Sequence, residues 1–299
     1  MKIVELVPNF SEGRDVNKIE QIKSAMAFSK DIKILNVESD PNHNRCVITL
    51  VSPQELAVEA CFRGIKKAKE LINLNNHHGE HPRFGAADVI PFIPLGESTT
   101  EECIVLAREL GKRVGAELNI PVYMYEKAAF KEERRNLADI RNKNFQFEQL
   151  KESIKEDKWK PDYGPSEVGT AGASIIGARD FLVAFNVNLA STDLKVAKKI
   201  AKCVREKDGG LKNVKALGFE LKDRGMVQVS MNLVNVKETP IYRVYELVKL
   251  EAERYGVSVK SCEIVGLVPL EALAEVSEFY LKLENFSIEQ VLEKKLWSE

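Results

Sequence analysis

The chain has 299 residues, 44% hydrophobic and 30% charged, with a formal net charge of −1 at pH 7. That length exceeds what one hydrophobic core comfortably serves, so two domains are expected, and the composition excludes a disordered or fibrous chain. The balanced charge speaks against a nucleic-acid coat, no apolar run reaches membrane-spanning length, and MKIVELVPNF meets Pro8 too early for a secretory signal, so a cytoplasmic protein with neither nucleic-acid nor membrane partners is expected. The five cysteines, Cys46, Cys61, Cys103, Cys203 and Cys262, are odd in number and scattered, which predicts reduced core residues rather than a disulfide framework.

Apolar clusters at residues 2–7, 32–38 and 45–51 predict three short strands, with a helix between the first two. Ser52-Pro53-Gln54-Glu55 has the form of a capping box, and Val58, Cys61, Phe62, Ile65, Ala68 and Ile72 follow at helical spacing. DVIPFIPLG predicts a strand whose prolines point to a sheet edge or an irregular end. A helix over 100–118 and a strand at 122–125 come next. Residues 132–164 are highly charged and weakly periodic, as a surface helix and connector would be. Beyond them FLVAFNVNL predicts a buried strand, Ser191 a helix cap, and Gly209-Gly210 that helix's end. Strands at 214–221 and 226–234, a helix opened by Thr239-Pro240 and stopped by Gly256, and a strand at about 258–267 complete a second β-α-β-β-α-β series. The fold class is therefore α+β, two ferredoxin-like subdomains in tandem with a helical C-terminal tail. The expected division is 1–178, including a connector over 132–178, and 179–299.

Three of the four histidines lie in HHGEHPRFGA. His77 and His81 have the i, i+4 spacing of helical zinc sites, but Gly79 and Pro82 oppose a helix and no second His/Cys cluster accompanies them, so no metal is expected. His77 and His78 read equally well as solvated loop residues. His81 is the acid/base candidate, with Glu80 to orient it and Arg83 to offer a fixed fork to an anion. NFSEGR and SDPNHNR occupy loop positions after strands, where turn chemistry alone accounts for their composition. The glycine-rich run GPSEVGTAGASIIGAR precedes a strand rather than a helix, so it is neither a phosphate loop nor a dinucleotide fingerprint, and an interdomain linker is its plain reading.

The segments VPNFSEGR, Asn44-Arg45, HHGEHPRFGAADVIPFIPL, ELNIPVYMY, PDYGPS with Gly177-Ala178, FLVAFNVNL, VQVSMNL and EIVGLVPLEAL, in this order, resemble the glutamate formimidoyltransferase family, the formiminotransferase half of formiminotransferase-cyclodeaminase. The resemblance runs from about Ile3 to the mid-270s. It implies two ferredoxin-like subdomains with a folate groove between them. No cyclodeaminase domain follows Glu299, so a stand-alone transferase is implied. The family activity is transfer of a formimino group from N-formimino-L-glutamate to N5 of tetrahydrofolate, the co-substrate, giving 5-formimidoyltetrahydrofolate and L-glutamate, as in histidine degradation. By the same resemblance His81 is the catalytic histidine. The acidic partner falls on Glu38, where the animal members have Asp, or on Asp40. Arg45 and Arg83 are placed to take substrate carboxylates. The folate stretch corresponds to Gly164, Pro165, Ser166, Glu167, Val168, Gly169, Thr170, Ala171, Gly172 and Ala173. Two alternatives are a formiminoglycine-specific transferase and a folate-binding module without turnover. A homodimer is expected as the commonest homo-oligomer.

Overall fold

The computed structural model describes residues 2–296. The chain divides into two compact units between Asp180 and Phe181.

In chain order the first unit contains β1 (Lys2–Leu6), β2 (Asn9–Phe10), α1 (Val16–Met26), β3 (Lys33–Asp40), β4 (Arg45–Pro53), α2 (Gln54–Leu71), β5 (Ala87–Gly96), α3 (Thr100–Leu118), β6 (Val122–Glu126), the short helices α4 (Leu137–Ile140) and α5 (Phe147–Ser153), and β7 (Ser174–Ala178). Strands β3, β4, β1 and β5 lie side by side and antiparallel, the order of a split β-α-β unit, and β7 and β6 extend the sheet in parallel beyond β5. Alternation along β6 shows how the sheet is covered. Val122 and Met124 enter the core made with α1, α2 and α3, whereas Tyr123 and Tyr125 enter a second core on the opposite face. That second core also takes Phe84, Ile140, Leu150 and Ile154.

The charged segment 132–164 is therefore not a surface helix. It lies over the sheet through buried apolar residues spaced among its charges. The buried ion pair Arg134–Asp162 (2.7 Å) secures it, Arg134 also donates to the carbonyls of Lys158 and Lys160, and Asp162 accepts from Met124 N. The prolines of β5 misdirect in the same way, since this strand is interior. β2 pairs it over Ala87–Val89 and β1 over Phe92–Gly96, so Pro91 falls in the gap between the two ladders, and Pro94 lies past the last pairing with β7.

The second unit contains β8 (Val183–Leu189), α6 (Leu194–Val204), β9 (Val214–Leu221), β10 (Met226–Leu233), α7 (Ile241–Glu253) and β11 (Val259–Val265), followed by α8 (Leu270–Leu281) and α9 (Leu292–Leu296). Its sheet runs β11-β8-β10-β9, all antiparallel, with Val187, Leu189, Val227 and Val229 against Ile200, Val204, Val244 and Val248 of the helices.

Cap assignments needed the backbone. Ser52 is still in β4, opposite Val4, and bonds to the Pro53 carbonyl, so Pro53 is an N-cap without side-chain help and no box forms there. A capping box does open α3, at Thr99 and Glu102. Asp193, not Ser191, caps α6, and Ser191 accepts instead from Asp193 N. That helix ends at Val204, and Gly209 closes the short turn after it with φ +91°. Cys46, Cys61 and Cys103 are buried as expected, but Cys203 and Cys262 are exposed, one on the outer side of α6 near Glu251 and one on the edge strand β11. Among the described residues no helix is long and apolar enough to cross a membrane.

Removing one partner of a buried ion pair strands the other charge. Arg134→Met is expected to lower stability by ~3–5 kcal/mol, read by urea unfolding, and a loss below ~1 kcal/mol would show that the connector does not depend on this pair.

Candidate active site

Four stretches far apart in sequence meet at one end of the first unit's sheet: the turn after β2, the β3–β4 turn, residues 77–88, and the end of α4. Asn44, in the left-handed region with φ +49°, ties three of them. Its side chain accepts from Gly13 N (3.0 Å) and donates to the His78 carbonyl (3.0 Å), and its carbonyl accepts from His77 Nε2 (2.8 Å). Ser11 adds a hydrogen bond to the Gly85 carbonyl (2.8 Å). The result is a narrow, closely packed cleft lined by Ser11, His43, Asn44, Arg45, His77, His81, Arg83 and Asp88.

His81 sits half-buried between two guanidinium groups. Its Nδ1 lies 2.7 Å from the Pro82 carbonyl, which requires a proton on Nδ1 and leaves Nε2 as the acceptor of Arg45 Nη1 (2.8 Å). Arg141 Nη1 also donates to the Pro82 carbonyl, and lies 3.2 Å from the ring. Burial, then Arg45 and Arg141, push the imidazole pKa down to about 3, so the ring is neutral, and only weakly basic, across the physiological range. Arg141 is held in turn by Asp88 (3.2 Å), whose other oxygen accepts from Phe84 N (2.6 Å) and Gly85 N (3.2 Å).

The remaining expected site residues are placed as follows. Arg45 contacts His81 directly. Burial lowers its own pKa, against the pull of Asp88 and Asp40. Arg83 lines the cleft, but its guanidinium is engaged by Glu148 (2.6 and 3.0 Å), Gln146 (3.2 Å) and the His77 carbonyl (3.1 Å). Asp40 stands at the rim and binds His43 rather than His81. Glu38 lies along β3 and accepts from Asn36 Nδ2 (3.0 Å). Glu80 is exposed, and the ring is oriented by Pro82, Arg45 and Arg141 instead. His78 is exposed as a loop residue, whereas His77 is buried and structural. Burial lowers the His77 pKa.

The glycine-rich stretch 164–173 belongs to the first unit and is no linker between units. Its later half is hydrogen-bonded to the histidine segment: Ala86 N to Ala171 O (2.8 Å), Ala173 N to Phe84 O (2.9 Å) and Leu74 N to Thr170 O (2.8 Å). Gly172, at φ +71°, lies where a Cβ would meet the Phe84 carbonyl at 2.1 Å, while Gly169 faces open space. Among the described residues no group of three or more His, Cys, Asp or Glu side chains is arranged to hold a metal ion.

Asp88, Arg141 and His43 were not singled out from sequence. The available signal was an acid opening the apolar run of β5, an arginine in a segment with buried apolar spacing, and a histidine beside Asn44-Arg45.

Residues 3–179 match the family described as formiminotransferase domain, N-terminal subdomain, and residues 184–296 match formiminotransferase domain. The chain belongs to the formiminotransferase family. A glutamate formimidoyltransferase of Thermoplasma acidophilum is 61% identical over 296 residues, covering 99% of this chain and 98% of that protein. One from Streptococcus pyogenes serotype M1 is 45% identical over 297 residues, 99% of each. The formimidoyltransferase-cyclodeaminase of Rattus norvegicus is 40% identical over 294 residues, which is 96% of this chain and 54% of the rat protein. This formiminotransferase chain thus matches about half of the bifunctional relative and nearly all of the others.

The depressed His81 pKa couples the site to stability. An unfolded chain takes up a proton at this ring below about pH 6.5, whereas the folded ring stays neutral down to about pH 3, so acidification across that window favours unfolding. His81→Gln is expected to lose less stability than the wild type between about pH 6.5 and about pH 4, measured by urea unfolding at each pH. Parallel losses would show that the ring is not held neutral.

Proposed function

We propose that the chain transfers the formimino group of N-formimino-L-glutamate to N5 of tetrahydrofolate, releasing L-glutamate and 5-formimidoyltetrahydrofolate, with His81 as the general base. The observation that carries this reading is the neutral imidazole held between Arg45 and Arg141, in a chain of this family. Attack by N5 on the amidine carbon requires removal of the N5 proton, and an imidazole kept neutral at ordinary pH has a lone pair to take it once the cationic field that weakens its basicity is offset. In the free protein Arg45 caps the His81 lone pair. A carboxylate of the donor that engages Arg45 through its fork uncaps Nε2 and offsets the cationic field, raising the basicity of the ring when substrate is in place. Arg141, held by Asp88, preserves the positive end of the cleft, and Arg83 forms its wall with Glu148. No covalent intermediate on the protein is needed, and holding two substrates together supplies much of the rate.

The stretch 164–173 is the folate-side element of this reading. Its exposed part around Gly169 is free for a flat ligand to approach, and its buried part, from Ala171 to Ala173, braces the segment that carries His81. Tetrahydrofolate enters as the co-substrate, and the protein works in the aqueous phase of the cytoplasm.

The decisive assay mixes purified protein, tetrahydrofolate and either formiminoglutamate or formiminoglycine, and follows loss of the donor. Turnover with formiminoglutamate is expected, and binding of tetrahydrofolate without turnover of either donor would overturn the reading. His81→Ala is expected to lower kcat by ~10²–10⁴ with the fold intact, and near-normal turnover would remove the assignment.

The two glycines give a separate test of the folate stretch. Gly169→Val is expected to raise KM for tetrahydrofolate more than KM for formiminoglutamate, whereas Gly172→Val disrupts folding through its backbone clash. Equal changes in both constants for a folded Gly169→Val protein would place the folate elsewhere.

A further inference from the structure

The cleft holds a second imidazole, and its surroundings differ from those of the first. His43 Nδ1 lies 2.5 Å from Asp40 Oδ2, while Asp40 Oδ1 accepts the backbone N–H groups of Asn42 (2.8 Å) and His43 (2.9 Å). These hydrogen bonds hold the Asp40 carboxyl below its ordinary pKa, so it stays ionised and keeps a proton on His43 Nδ1. The ring is thereby fixed in direction, and Nε2 is left as its working atom. Its centroid is 6.1 Å from that of His81, with the two planes nearly perpendicular. The backbone beneath is pinned as well, since Glu80 N donates to the Asn42 carbonyl (3.2 Å) and a Cβ on Gly79 would meet the His43 carbonyl at 2.2 Å. The ring bonds Asp40, meets His81 edge to face, and shares the cleft with Arg45, His77, Arg83 and Asp88. The His43 side chain is 45% exposed, so water reaches it.

We propose that His43, oriented by Asp40, is a second catalytic residue of this cleft, protonating the amine that leaves while His81 takes the proton of the attacking nitrogen. The inference rests on the formimino-transfer reading. His81 Nδ1 is committed to the Pro82 carbonyl, so only one ring nitrogen of His81 is free for proton transfer. The tetrahedral carbon carries two nitrogens that need opposite treatment, and two rings serve them without either one rotating. As the bond from N5 to the amidine carbon forms, the N5 proton passes to His81 Nε2. As the bond from that carbon to the glutamate nitrogen breaks, the electron pair leaves with the nitrogen, which takes a proton from His43 Nε2; His43 enters this step as the imidazolium, with Nδ1–H on Asp40 and a second proton on Nε2 drawn from solvent, and leaves it as the neutral Nδ1–H tautomer. The two rings then differ from their starting states by one proton, which returns from His81 to His43 through solvent, and no other reactant is consumed.

The test compares wild type, His43→Ala and Asp40→Asn as full chains with formiminoglutamate and tetrahydrofolate, folding being checked by circular dichroism. His43→Ala is expected to lose about 10²-fold in kcat with KM little changed, and added imidazole is expected to restore much of the loss, because a small base replaces a missing proton carrier but not missing packing. Asp40→Asn is expected to lower kcat by about 10-fold, since its amide does not hold the ring in the same tautomer. His43→Ala at wild-type kcat, or a loss that imidazole leaves untouched, would overturn the proposal. A wild type without turnover would instead overturn the reading on which it rests.

Discussion

The carboxylate of Asp88 is the constraint on which the rest of the site depends. It is 2% exposed at the start of β5, where an unpaired anion would be prohibitively desolvated. Two backbone N–H groups, from Phe84 and Gly85, occupy one oxygen, and Arg141 occupies the other. Each partner brings a structural consequence. The N–H groups set the turn that follows His81, Pro82 and Arg83. The guanidinium draws the end of α4 to the cleft, where it also reaches the Pro82 carbonyl. One buried negative charge thus joins a strand, a loop and the connector, and sets the field in which His81 works.

That field is positive, which is costly while the cleft is empty and favourable once an anion enters. Arg45 and Arg141 face the same imidazole, and burial adds to their effect. On the proposed transfer, a neutral imidazole surrounded by cations suits a substrate with carboxylates, whose arrival would relieve repulsion and strengthen the base. The backbone around the ring is correspondingly rigid. Asn44 fastens three turns at once, and its positive φ is stabilised by hydrogen bonds to Gly13, His77 and His78. Pre-organisation of this kind lowers the cost of assembling the reacting groups.

The connector shows how a polar segment becomes part of a core. Its charges face outward except for Arg134, Asp162 and Arg141, of which the first two pair with each other and the third with Asp88, while Ile140, Phe147, Leu150 and Ile154 turn inward. Tyr123 and Tyr125 receive Ile140, Leu150 and Ile154 from the sheet. The same sheet therefore uses one face for helices α1 to α3 and the other for this segment.

Local patterns settled much of this architecture. The helix over 100–118, the strand over 214–221 and the helix opened by Pro240 follow from side-chain periodicity and end signals that act within a few residues, and the structure places them within a residue or two of the sequence reading. The HPR context singled out His81, because an imidazole beside a stiffened backbone and a fixed cation is recognisable without a fold. Tertiary structure alone decided that β5 is interior, that β7 exists, that His77 is structural and that Arg83 is engaged by Glu148. It also supplied Asp88, Arg141 and His43. The reason is range: Arg141 and His81 are 60 residues apart, Arg45 and His81 are 36 apart, and neither pairing leaves a periodic trace in the residues between. Whether a buried charge is a liability or a site depends on the partner that reaches it, and only the folded chain determines which partner that is.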